Sequence, residues 1–142
     1  MSSNNVMLRI GAAESIGAPL GPYSHGIAVG GFLHLAGQVA VDVDGNLVGE
    51  KDFEAQVQQA YRNVEAVLKA AGTDFSRVVK MTVYLTDMKN LSTASRVRQE
   101  FCPPGQFPAS TVVQISQLAD PRWLIEVEAV AYLGELEEPG DE

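Results

Sequence analysis

At 142 residues, with 46% hydrophobic composition and a net charge of -8, the chain fits one domain able to bury roughly two thirds of its unfolded surface. Five of the negative charges fall on Glu135, Glu137, Glu138, Asp141 and Glu142, leaving the body before them near -3; neither value suits a phosphate backbone, so no nucleic-acid partner is expected. A lone Cys102 precludes an intramolecular disulfide, Met1 to Asn5 is not a basic-then-apolar leader, and no apolar run approaches the roughly 20 residues of a bilayer span. The expected setting is reducing and cytoplasmic, away from membranes, with a single domain over residues 1–134 and a frayed acidic tail over 135–142.

Val6 to Ile10 predicts a short first strand, and the Gly and Pro density from Gly11 to Tyr23 marks an extended loop. Ile27–Val29 and Phe32–Leu35 flank Gly30-Gly31, a pair suited to the positive φ angles of a tight hairpin. Val39 to Val43 is expected to continue as strand until Asp44-Gly45 turns it. Phe53, Val57, Ala60, Tyr61, Val64, Val67, Leu68 and Ala71 recur at steps of three and four, the apolar stripe of a helix capped by Asp52 and stopped by Gly72. Val78 to Leu85 alternates, with Val79, Met81, Val83 and Leu85 on one face and Val78, Lys80, Thr82 and Tyr84 on the other. Asn90 or Ser92 is expected to cap a second helix, with Leu91, Ala94, Val97 and Phe101 inward, that ends at Pro103-Pro104. Phe107–Ile115 and Leu124–Tyr132 close the chain as strands.

This order predicts an α+β fold with two helices on one face of a sheet. The other face, expected to carry Val78, Thr82, Tyr84, Val112 and Val130, is too apolar to stay wet, which points to self-association.

Glu126 and Glu128, two apart in a strand, share a face; either they meet solvent, or one lies in a cleft and orients or deprotonates a water. His25 and His34 with Cys102 make no metal-ligand spacing, so no metal site is expected. His34 reads as structural, while His25, following the Gly and Pro loop, is the better candidate for a ligand contact. No phosphate-binding glycine loop is present, and Ser24, Ser95 and Ser110 lack the context of a nucleophile. Cys102 at a helix end reads as packing.

Taken together, Ala18-Pro19-Leu20-Gly21-Pro22-Tyr23-Ser24-His25, Ala36-Gly37-Gln38, Val64 to Gly72, Val79 to Met88, Phe107-Pro108-Ala109 and Ile125 to Ala131 resemble the reactive intermediate deaminase family, RidA or YjgF-like. The resemblance runs from about Ala18 to Tyr132. It implies a chorismate-mutase-like mixed sheet with two helices packed on one face, a homotrimer, and small-metabolite clefts between subunits. It also implies hydrolysis of enamines and imines, such as 2-aminoacrylate, to a 2-keto acid and ammonia, with no metal or organic cofactor. Older labels of ribonuclease or translation inhibitor attach to such proteins, and an acidic body gives them no support.

Carried over residue by residue, the resemblance implies that Glu126 positions the attacking water and that Tyr23 and Gly37, with Gln38 beside it, complete the cleft. The family's carboxylate-gripping Arg is replaced by Ser110, its helix Asn by Ser95, the Ser before Gly37 by Ala36, and the Gln after Tyr-Ser by His25. A guanidinium makes two charge-assisted bonds where a serine offers one neutral bond, a deficit of roughly 2 to 4 kcal/mol or about thirtyfold to a thousandfold in binding. Arg96, Arg98 and Arg122 are the cations available to compensate. The readings left open are a divergent deaminase acting through Glu126, a non-catalytic trimer that binds a small metabolite, and, last on charge, a nuclease.

Overall fold

A computed structural model describes residues 6–13 and 15–134; the acidic tail lies outside the described residues. Six strands form one mixed sheet: β1 (Leu8–Ile10), β2 (Gly26–Val29), β3 (Phe32–Gln38), β4 (Val78–Leu85), β5 (Ala109–Gln114) and β6 (Ile125–Tyr132). Their spatial order is β1-β2-β3-β6-β4-β5, antiparallel except for the β4–β5 pair at one edge. Helices α1 (Phe53–Ala70) and α2 (Leu91–Phe101) supply the second layer. The α+β class and the two-helix cover are as the sequence predicts.

Gly30 and Gly31 both take positive φ, 61° and 83°, the conformation required by the β2–β3 hairpin turn. The Asp52 side chain accepts the Ala55 N–H at 3.1 Å, satisfying one orphan donor at the start of α1. The stripe of α1 buries Val57, Ala60, Tyr61, Val64, Val67 and Leu68 against Leu33, Leu35, Met81, Val83, Leu85, Ile125 and Val127. Tyr61 stacks on Phe101 of α2 with ring centroids 5.5 Å apart and tilts against Phe75, so an aromatic cluster joins the helices.

Several expectations are corrected. Val39 to Val43 is not a strand: beyond Gln38 the chain leaves the sheet, Val41 bridges only to Leu47, and the carbonyls of Val39 and Val41 go to the Asn63 amide at 2.9 and 2.8 Å. The face assignment at the start of β4 is inverted, because a register shift between Val78 and Lys80 turns Val78 into the core and leaves Val79 exposed. Val112 pairs with Val83 and packs on the core, so it does not belong to the open face. Neither Asn90 nor Ser92 is the side-chain cap of α2; Asn90 makes no cap bond, and Asp87 instead caps a single 3-10 turn over Met88–Asn90 that leads into the helix. Strands β1, β5 and β6 are each shorter than predicted by one to three residues.

The sheet therefore has a covered face and an open one. Along β6, Ile125, Val127, Ala129 and Ala131 are buried under the helices, while Glu126, Glu128 and Val130 alternate onto the open face opposite Tyr84, Thr82 and Lys80. Among the described residues, no helix is long and apolar enough to cross a membrane.

Candidate functional site

Two buried amides on α1, seven residues apart and hence on one face of the helix, position the chain around Glu126. Gln56, wholly buried, donates to the carbonyls of Gly49 (3.1 Å) and Arg122 (3.0 Å) and accepts the Leu124 N–H at 2.9 Å, which fixes the entry to β6 two residues before Glu126. Asn63 holds Val39 and Val41, the segment that leaves β3 directly after Gly37 and Gln38. Between these anchors, three steps of β3 (Leu35 to Gln38) span two of β6 (Ala129 to Val127), a β-bulge that sets Ala36-Gly37 over Glu126.

The contact is close. A Cβ on residue 37 would overlap the Glu126 carboxyl, lying 2.6 Å from its Cδ, so only glycine admits this carboxylate against the bulge backbone. Glu126 is half-buried, and among the described residues no donor bonds its carboxylate. Burial raises its pKa above the ordinary carboxylate value, and the negative charge of Glu128 raises it further. Glu128 differs in having a partner: the Tyr84 hydroxyl donates to it at 2.7 Å, which in turn raises the Tyr84 pKa. Of the two carboxylates on this face, Glu126 is the one left free for an external proton or water.

Tyr23 is exposed at the end of the Gly and Pro loop, its hydroxyl accepting the Leu20 N–H at 3.3 Å. With Gly17, His25, Gly37 and Gln38 it lines a pocket of about 20 Å³, room for roughly one water. His25 is buried, with one ring nitrogen 2.8 Å from the Gly17 carbonyl and the other 3.2 Å from the Gln38 amide. The Gln38 amide nitrogen can only donate, so the His25 nitrogen facing it accepts and the other N–H donates to Gly17. Both ring nitrogens are thus engaged within the chain, and His25 with Gln38 ties the loop that carries Tyr23 to the bulge. Ala36 belongs to the same tie: its N–H donates to the His25 carbonyl at 2.8 Å and its own carbonyl accepts from Gln38 at 3.3 Å.

Ser110 stands elsewhere. It pairs with Met81, a core residue, and so points to the helix side of edge strand β5, the opposite side of the sheet from Glu126. Its hydroxyl oxygen accepts from Nη1 of Arg98 at 2.7 Å, and Nε of the same guanidinium donates to the buried Tyr61 hydroxyl at 3.3 Å. Ser95 is exposed on α2, one turn before Arg98. The other two candidate cations are engaged: Arg96 with Glu54 and Glu100, Arg122 with both oxygens of Asp120. One chain therefore seats Glu126 against Gly37, ties Tyr23, His25, Ala36 and Gln38 to Gly37 through one small pocket and its hydrogen bonds, and holds Ser110, Arg98 and Ser95 apart from Glu126. Among the described residues no three His, Cys, Asp or Glu side chains cluster as metal ligands.

The sequence reading missed Gln56, Asn63 and Tyr84 as supports. Their polar side chains at otherwise apolar helix and strand positions were the available signal, since a buried amide must find partners.

The sequence model of the Endoribonuclease L-PSP family matches residues 14–133. A RutC family protein of Pyrococcus horikoshii is 38% identical over 119 residues, covering 84% of this chain and 93% of that protein. The human 2-iminobutanoate/2-iminopropanoate deaminase is 34% identical over 127 residues, 89% of this chain and 90% of its own length. The crystal structure of the Rid family protein YyfA from Yersinia pestis superposes with a TM-score of 0.82 at 31% identity, covering 89% of this chain and 99% of that one. With the fold, the bulge and the closing strand already in place, these similarities settle its kinship: the chain belongs to the Endoribonuclease L-PSP family, the RidA/YjgF-like proteins.

Proposed function

We propose that the protein is a hydrolytic deaminase of reactive imines and enamines, working without metal or organic cofactor in a cleft between subunits of a homotrimer. The observation that carries this reading is the Glu126 carboxylate: half-buried, raised in pKa, seated over Gly37 and unpartnered among the described residues. A carboxylate whose pKa is raised toward the working pH is a stronger base when ionised. Its human relative, named for deamination of 2-imino acids, supports the same reaction class.

The chemistry is a water addition. An enamine enters as its imine tautomer. Glu126 takes a proton from water as the water oxygen bonds to the imine carbon and the C=N π pair moves to nitrogen, which takes that proton from Glu126. The carbinolamine hydroxyl then passes its proton through the same carboxylate to the amine, the C–N bond breaks, ammonia leaves and the carbonyl forms. Tyr23, at the mouth, and Gly37, on the bulge, shape the space around the reacting carbon. Because Ser110 and Glu126 lie on opposite sides of one sheet, a cleft containing both is made of two chains, with edge strand β5 of one copy meeting the open face of another. The apolar residues of that face, Phe32, Val113 and Tyr132 among them, favour such burial.

The test generates 2-aminoacrylate in situ and follows keto-acid formation with wild type and Glu126→Gln. Acceleration over buffer that disappears in the variant is the expected result; no acceleration, or acceleration indifferent to Glu126, overturns the proposal. A metabolite-binding trimer without catalysis is the second reading, favoured by the serine at position 110, and it is the outcome if keto acids raise Tm while no turnover is seen.

A further inference from the structure

Of the 10 Lys and Arg, Lys89, Arg96 and Arg122 reach a carboxylate within salt-bridge distance among the described residues; Arg98 is among those that do not, although Arg96, two residues earlier on α2, has two such partners. Arg98 is not splayed into solvent either. The side chain is half-buried, and its inner edge is pinned by Nε to the hydroxyl of Tyr61, a side chain with no exposed surface. Nη1 is pinned to Ser110 on the exposed edge strand. Two of five N–H donors are thereby used for orientation and three remain. Ser110 contributes in the same sense: its oxygen accepts from Arg98, which leaves its own O–H to donate outward. A preoriented guanidinium next to a free hydroxyl proton is a donor array without an acceptor, and the acceptor that matches its planar fork is a carboxylate.

We propose that Arg98 and Ser110 together form a carboxylate-binding site, so that the cation absent from position 110 is supplied from α2. Setting this grip opposite Glu126 of a neighbouring chain rests on the inter-subunit cleft proposed above; the grip itself does not.

The test is equilibrium binding, read by calorimetry on the full-length assembled protein, with 2-oxobutyrate as the carboxylate probe and its methyl ester as the neutral control. Wild type is expected to bind the acid and to bind the ester at least about tenfold more weakly, the worth of one charge-assisted bond. Arg98→Gln keeps the stem and is expected to weaken the acid by about tenfold or more while leaving the ester unchanged. The double variant Arg98→Gln with Ser110→Arg returns the guanidinium from the strand and is expected to regain most of the loss, which separates a charge effect from damage to the Tyr61 cluster. Equal binding of acid and ester by wild type, an unchanged acid affinity in Arg98→Gln, or a double variant no better than Arg98→Gln each overturns the assignment. Binding that behaves as expected while Glu126→Gln leaves turnover unaffected would sink the deaminase reading and spare this one.

Discussion

Glu126 and Arg98 are both half-buried charged side chains without an opposite charge among the described residues, yet the chain holds them in different ways. Glu126 is set by backbone: a bulge, a glycine and two amide anchors from α1 fix where its carboxylate sits, and no side-chain donor among the described residues touches it. Arg98 is set by side chains, a phenol on one edge of the guanidinium and a hydroxyl on the other. The difference decides what each site tolerates. A backbone cradle accepts one residue type at position 37, whereas a side-chain cradle can be rebuilt from another element, and here the cation at the rim of β5 comes from a helix.

The largest expected effect is on the backbone-set half. Glu126→Gln should lower turnover by about 10² to 10⁴, the usual worth of a positioned base, read as kcat on in situ imine. It should also raise Tm slightly. Folding raises the pKa of Glu126, so its contribution to stability is full below the ordinary carboxylate range and is lost as pH rises through the raised value; at neutral pH the ionised form is held against burial. Gln removes that penalty, and the Tm difference between variant and wild type should shrink on acidification. A variant that loses activity and stability together would place Glu126 among structural residues.

Gly37→Ala comes next. The added methyl overlaps the carboxyl group, and moving Glu126 by about 1 Å costs on the order of 10² in rate, with KM for the carboxylate held by Arg98 little changed. Unaltered kcat would mean that the bulge does not set the reacting group. Asn63→Leu tests the support beneath: two carbonyls lose their donor, for about 2 kcal/mol of stability in urea unfolding. A loss confined to Gly37 and Asn63, with acid binding intact, would confirm that the two halves are independent.

The same contrast explains what could be read before the fold was known. The period of the α1 stripe, the Asp52 cap and the Gly30-Gly31 turn are local chemistry, and the structure places them as expected. The motif around Glu126 identifies the family because its neighbours in sequence are also its neighbours in the strand. The exit of Val39–Val43 from the sheet was not legible, since the donor that captures those carbonyls lies more than twenty residues away on Asn63. The Val78–Val79 inversion likewise depends on a register shift against β6 that no alternation pattern records. Arg98 could be named from the sequence only as one of three candidates; choosing it needed the hydrogen bonds that hold it between Tyr61 and Ser110.

The smallest effect concerns the tuning of Glu126 rather than its placement. Burial is the larger cause of its raised pKa and the charge on Glu128 the lesser, so Glu128→Gln should move the acidic limb of kcat/KM toward lower pH and not abolish the displacement. The phenol of Tyr84, raised first by its bond to Glu128, should fall toward its ordinary value of 10 in the same variant, visible by ultraviolet titration. The sign distinguishes two roles for Glu128. If it shared the water or the proton with Glu126, kcat would drop across the whole pH range; if it acts only through its charge, the plateau stays and the limb moves. A neutral group at 128 therefore leaves the backbone-set carboxylate where Gly37 holds it and makes it a slightly weaker base, acting from a slightly lower pH.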